Sequence, residues 1–391
     1  MEKNYSSTFY PTLAGFCLIA IAICLTRLAY TPIVPSIIDS HWVTKPGAGY
    51  LGAFNMLGYM AGCILTVLVA RITGARLMMR LSLVIAVIGL LMCSWDLGFI
   101  WLAVGRFITG FAGAALIIHT PPLVLKNINP EKKAVTLGIV FSGAGFTIVA
   151  VSFLLPQFIT NGPKNGWLFE AAITAVFAII SWNLVSRAPI HAKKNNYIKE
   201  PLKQTSKLLL ILIAICYFLA AVGIVPHSLF LSDYVHRDLG YSISDSSMLF
   251  SALGLGSAIG PVISGVLAKK FDTSMSLFFA YLTGVIAVLI ILVFDEIELV
   301  ALSAFLAGIF LISVVSLTSL RVLEIVGLEM HDHYWGILTL ILASGWAIGS
   351  YSMSGLLSLK FQYINLFMTG QAVLALALGI YLFSWWRSKH I

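Results

Sequence analysis

Charge is what this chain has least of. Only 10% of its 391 residues are Asp, Glu, Lys or Arg, 59% are apolar, and the mean hydropathy is +0.96. A soluble protein of this length could not cover its surface with so few polar side chains. No polar stretch is long enough for a separate soluble domain, since the longest loop, Arg187 to Ser206, has about twenty residues. The Gly-Lys-Ser/Thr signature of a phosphate-binding loop is absent, which removes ATP-driven pumping within this chain. Cysteines are few and unclustered. Cys17, Cys24, Cys63, Cys93 and Cys216 all sit in apolar runs, with neither disulfide nor metal-ligand spacing. His331-Asp332-His333 resembles a metal cluster, but its place between two apolar runs reads as a solvated, helix-capping turn. No metal, cofactor or enzymatic constellation is expected.

What is present is a succession of apolar runs, each about as long as the ~20 helical residues that cross a bilayer. They fall near 10–37, 46–69, 77–95, 98–125, 134–158, 166–186, 207–232, 245–268, 274–294, 299–322, 333–358 and 362–386. The first exceeds a signal-peptide core of ~7–15 residues and has no clear small-residue cleavage site, so it is expected to stay as a spanning helix. The loops carry alternating loads of Lys and Arg. Of the 24 basic residues, Arg27 and Arg106 lie inside runs, and only Lys45, Lys164, Arg237 and Lys360 fall in one set of loops. The rest fall in the other set, including both ends, so the positive-inside rule puts both termini in the cytoplasm. That dispersal along the membrane edge also excludes a nucleic-acid-binding face. The net charge of +8 is a topology signal.

The two halves resemble each other in order. Ile21-Ala22-Ile23-Cys24 leading to Ile33-Val34-Pro35 recurs as Ile213-Ala214-Ile215-Cys216 leading to Ile224-Val225-Pro226. Phe107 and Gly110 match Phe305 and Gly308. Ser142-Gly143 followed by Leu154-Leu155 matches Ser344-Gly345 followed by Leu356-Leu357. The boundaries expected from this are 1–186 for one six-helix bundle, 187–206 for a cytoplasmic linker and 207–391 for the second bundle.

In helix 4, Arg106-Phe107-Ile108-Thr109-Gly110-Phe111-Ala112-Gly113 resembles the helix-4 motif of the major facilitator superfamily. The loop Gly265-Val266-Leu267-Ala268-Lys269-Lys270-Phe271-Asp272 is similar to its G-x-L-A-[DN]-[RK]-x-G motif, with Lys269 at the acidic position and Asp272 at the glycine. The equivalent loop after helix 2 keeps Gly74 and Arg76 but has Arg71 at the acidic position. Thr26-Arg27-Leu28-Ala29-Tyr30-Thr31-Pro32-Ile33-Val34-Pro35 resembles the helix-1 signature of the bacterial YbfB/YjiJ-like branch. The resemblance implies an all-α membrane protein with twelve transmembrane helices in two pseudo-symmetric six-helix bundles. It also implies a bacterial inner-membrane location and secondary transport by alternating access.

Arg27 is the sharpest candidate for chemistry, because an intramembrane arginine costs ~3 kcal/mol on insertion scales. Its alternatives are a structural counter-ion or outward snorkelling. Tyr30, three residues on, is expected on the same face. Pro32 and Pro35 should free carbonyls toward a cavity. Arg106 is expected near the same depth; two guanidiniums there would bind carboxylate or phosphate oxygens, or Arg106 could brace helices 1 and 4 through carbonyls. In relatives the helix-4 arginine is implicated in proton transfer. Asn55 and Tyr59 share a helix-2 face as a hydrogen-bonding pair, and Trp346 and Tyr351 of helix 11 would close the cavity. Proton-coupling candidates are Arg106, His119, Glu170 and His227. Glu170 is the carboxylate placed within a span, with structural pairing as its alternative, and each histidine could simply be buried and neutral. Asp233 and Asp245 are expected to be solvated or capping, and Glu324 to pair with Arg321.

The expected function is proton-coupled export of a small carboxylate-bearing metabolite by a monomer in the lipid bilayer. Export rests on the antiporter-like helix-4 motif; the helix-5 glycines Gly138, Gly143 and Gly145 lack the Gly-Pro core of the antiporter motif. The alternatives are multidrug efflux, an uptake symporter or a uniporter. A non-transporting membrane enzyme or receptor on the same fold is the rival from another class.

Overall fold

The computed structural model describes residues 9–125, 128–160, 162–186 and 204–389. Lys126, most of the expected linker (187–203) and the side chains of Arg71 and Asp332 lie outside the described residues. Among the described residues, twelve helices are long and apolar enough to cross a membrane. They are α1 Phe9–Asp39, α2 Lys45–Ala70, α3 Ala75–Met92, α4 Phe99–Leu125, α5 Val135–Ile159, α6 Pro163–Val185, α7 Ser206–Arg237, α8 Ile243–Lys270, α9 Thr273–Val293, α10 Ile297–Gly327, α11 His333–Ser358 and α12 Tyr363–Arg387. Both ends of this series lie on one face of the bundle, called here the terminal face.

Local chemistry places the helix ends. Thr44 caps α2, accepting the Gly47 N–H at 3.2 Å, and Pro46 occupies the first turn, where a missing N–H costs nothing. Ser242 accepts the Asp245 N–H at 3.0 Å and donates to the Asp245 carboxylate at 2.7 Å, a reciprocal cap on α8. Asp272, at the glycine position of the loop motif, caps α9 through the Met275 N–H at 2.6 Å. The α10 backbone runs on toward α11 and breaks at Gly327, whose φ of 74° favours glycine.

Glycines set how closely the helices cross, and they do so twice in the same way. A Cβ on Gly58 or Gly110 would come within 1.9 or 1.8 Å of the Phe107 and Asn55 carbonyl oxygens, so α2 and α4 touch backbone to backbone. Gly256 and Gly308 meet the Phe305 and Leu253 carbonyls at 1.9 and 2.0 Å, which joins α8 and α10 identically. The sequence match of Phe107 and Gly110 with Phe305 and Gly308 is therefore also a match of contacts.

Between the halves, α5 lies along α8 and α2 along α11. A Cβ on Gly145 would fall 2.0 Å from the Ala258 nitrogen. At the face opposite the termini, α1 and α7 are latched. Arg237 donates to Asp39 at 2.7 Å and His236 lies 3.3 Å from the same carboxylate. Below them Thr31 donates to the Ser228 carbonyl, and Ser247 to the Pro32 carbonyl at 3.2 Å. At the terminal face a cleft of about 630 Å³ opens between α1, α5 and Lys269 at the end of α8.

Candidate functional site

Two intramembrane arginines organise the centre of the molecule, and the fold gives them different tasks. Residues Ala20–Leu28 of α1 form a π-helical segment, a wider turn than the α-helix on either side. With Pro32 and Pro35 downstream, it leaves carbonyls short of helical donors. Thr26 and Arg27 offer theirs to α2 and α4 rather than to an open cavity. Asn55 Nδ2 donates to the Thr26 carbonyl and the Arg106 carbonyl, each at 2.9 Å. Arg106 donates to the carbonyls of Thr26 at 3.4 Å and Arg27 at 3.5 Å. The guanidinium of Arg106 lies 4.4 Å over the Tyr30 ring and 5.8 Å from that of Trp167. Glu170 is within electrostatic reach of it. Arg106 is thus a brace inside the N-terminal bundle.

Arg27 points the other way. Its guanidinium lies 4.5 Å from the ring of Trp346, on α11 of the other half. It is 8% exposed, and no carboxylate among the described residues lies within ion-pair distance of it. Within its electrostatic reach are the phenols of Tyr59 on α2 and Tyr217 on α7. Both hydroxyls are buried and neither has a hydrogen-bond partner. The arrangement is a cation backed by an indole, with two unused donors within its electrostatic reach, and it can hold an anion.

Sequence reasoning and structure diverge at several points here. The two guanidiniums do not converge on one ligand. Arg27 and Tyr30 do not share a face: the wider π turn spreads them around α1, and Tyr30 instead donates to the Ala48 carbonyl at 2.9 Å while stacking on Trp167. Asn55 and Tyr59 do not bond to each other: the Asn55 amide nitrogen donates to the Thr26 and Arg106 carbonyls and the Thr109 hydroxyl, while its Oδ1 and the Tyr59 hydroxyl are each without a partner. Tyr351 is 65% exposed and packs on Tyr50 at 5.4 Å, clear of Arg27.

Glu170 is fully buried, with no hydrogen bond to either carboxylate oxygen. It is not the sole carboxylate within a span. Asp233 is fully buried near the end of α7, not solvated, because Arg237 one turn on donates to it at 2.9 Å and Tyr363 of α12 donates to its other oxygen. His227 is buried and 2.8 Å from the Ser303 hydroxyl, edge-on to Phe367, inside the C-terminal bundle. His119 is half-buried in α4, before Pro121 and Pro122. Arg321 donates to Glu324 at 2.8 Å as the spacing predicts, and Thr273 donates to the same carboxylate. His331 is buried rather than solvated, 3.1 Å from the Ser319 hydroxyl.

The helix count and the doubled glycine crossings describe a membrane protein of two similar halves, with an arginine at its centre that has no ion-pair partner among the described residues. The profile of the family described as uncharacterised MFS-type transporter YbfB matches residues 19–382. The chain belongs to this family. It is therefore a multi-pass membrane protein of an MFS-type transporter family, and the fold is the twelve-helix major facilitator architecture. Family membership points to a transporter rather than an enzyme, with a small molecule as cargo. Tyr217 is a residue of the candidate site that sequence reading missed in this YbfB-type transporter. It had a signal, because it directly follows the repeated Ile-Ala-Ile-Cys word whose first copy precedes Arg27.

Proposed function

We propose that the protein is a secondary active transporter for a small carboxylate-bearing anion, with export coupled to the proton gradient. The observation that carries the anion reading is Arg27, a buried guanidinium between the halves with no counter-ion among the described residues. A charge left in a low-dielectric site is stabilised strongly by an arriving opposite charge, because Coulomb terms grow as the dielectric falls. Proton coupling is supported by Glu170. A buried carboxylate without hydrogen bonds is costly as an anion and relieved by a proton, and its neighbour Arg106 bridges α4 to the carbonyls of α1 beside the anion site. Protonation of Glu170 would change the load on that bridge. The basic loops support an inner-membrane placement with cytoplasmic termini, which makes the latched face the periplasmic one.

The test is transport by the purified protein in liposomes of either orientation under an imposed pH gradient. Concentrative, uncoupler-sensitive movement of organic anions that Arg27→Ala abolishes is the expected result. Accumulation of lipophilic cations that survives Arg27→Ala, or accumulation indifferent to an uncoupler, overturns the anion or the proton part respectively.

A further inference from the structure

Several buried polar groups at the centre of the molecule have capacity left over, and three of them stand together around one charge. Arg27 is one; the Tyr59 and Tyr217 hydroxyls are the others, each fully buried and without a hydrogen bond. Each phenol is within electrostatic reach of Arg27 and of the other. Their bodies are held firmly. The Tyr59 ring lies against α4 at Gly113, where a Cβ would stand 3.5 Å from it, and the Tyr217 ring packs 6.3 Å from that of Trp335 on α11. Trp346 covers the face of the Arg27 guanidinium, and a cation–π contact leaves the N–H edge free to donate. Buried hydroxyls in native proteins are almost always satisfied. Two unsatisfied ones beside one unpaired cation mark a place prepared for an acceptor.

Ownership of these groups is divided. Arg27 and Tyr59 belong to the first half, Tyr217 and Trp346 to the second. Only one of the two central arginines faces this site, since Arg106 is bonded to carbonyls and has Glu170 nearby.

We propose that Arg27, Tyr59 and Tyr217 form a three-donor clamp for a single carboxylate, so that the transported species is a monocarboxylate whose charged end joins the two halves. The clamp rests on the anion reading given above and narrows it. One uncompensated cation neutralises one negative charge; a second carboxylate on the same ligand would be buried without a counter-charge, at high cost. Tyr217 is then a specificity residue, supplying a hydroxyl donor from the second half.

The test uses the full-length protein in detergent, titrated at constant pH and ionic strength with butyrate, succinate, benzoate and terephthalate. Each pair differs by one carboxylate. Calorimetry and ligand-dependent melting give the affinities for wild type, Arg27→Ala, Tyr59→Phe and Tyr217→Phe. Expected are a preference of at least about tenfold for each monoacid, loss of binding in Arg27→Ala, and about tenfold weakening in each phenylalanine variant, the scale of one hydrogen bond to a charged group. The phenylalanines keep the rings, so loss of folding is not the readout; melting of the ligand-free phenylalanine variants at or above that of wild type checks this. Diacids binding as tightly as their monoacids, or Tyr217→Phe binding benzoate like wild type, overturns the clamp while Arg27-dependent binding keeps the anion reading. No binding by any of the four overturns both.

Discussion

Asp39, in the last turn of α1, and Arg237, in the last turn of α7, meet at 2.7 Å and tie the two halves together at one face. Arg237 also neutralises the buried Asp233, so one guanidinium serves an exposed carboxylate and a buried one. These two contacts should respond differently to mutation. Asp39 is 40% exposed, so Asp39→Asn should cost under about 1 kcal/mol of stability. It should nonetheless raise the fraction of molecules open at that face, seen as increased distance between spin labels on the tips of α1 and α7. Arg237→Ala strands Asp233 and should cost about 3–5 kcal/mol. Adding Asp233→Asn should recover most of that loss in thermal melts.

Backbone contact at the glycine crossings predicts a sharp positional contrast. Gly110→Ala and Gly308→Ala each drive a methyl into a carbonyl of the facing helix and should destabilise by about 3 kcal/mol or more. Gly355→Ala, in α11 with nothing within 4 Å, should be neutral or stabilising by up to ~1 kcal/mol. Melting of the three variants in one detergent checks this, and equal losses at all three would refute the packing account.

The unpartnered phenols predict a trade of function against stability. Without ligand, Tyr59→Phe and Tyr217→Phe remove a buried hydroxyl that nothing satisfies, so neither should lower stability and each could raise it by about 1 kcal/mol. The same substitutions should impair transport. A fall in ligand-free melting would show that the hydroxyls bond within the protein.

Glu170→Gln imitates the protonated carboxyl permanently. If Glu170 carries the coupling proton, the variant should still exchange substrate across a membrane but lose accumulation driven by a pH gradient. Counterflow measured beside gradient-driven flux separates the two, and gradient-driven accumulation equal to wild type would remove Glu170 from the coupling path.

The spans were legible because a segment in lipid must satisfy its own backbone groups, so a helix there is a local consequence of apolar length. The run expected at 10–37 is the helix Phe9–Asp39. The Arg321–Glu324 pair and the Asp245 cap were legible for the same reason, since their partners sit three residues away. The candidate site was half legible. Arg27, Tyr59 and Trp346 stood out as polar or aromatic groups out of place in apolar runs. Tyr217 did not, because a tyrosine in a buried helix is ordinary until its hydroxyl proves to have no partner.

By itself, then, the sequence determined the number of crossing helices, their doubled order and the family to which they belong. Only the tertiary structure decided which polar groups consume one another. Asn55 Nδ2 and the terminal nitrogens of Arg106 reach carbonyls of the π turn, whereas the Arg27 guanidinium faces Trp346 of the other half, and Tyr30 turns away to the Ala48 carbonyl. Asp233 became an interior ion-pair partner because α7 extends far enough to bring Arg237 onto it and α12 brings Tyr363. Helix formation is settled within a few residues along the chain, but the direction and partner of a buried side chain are settled between helices remote in sequence.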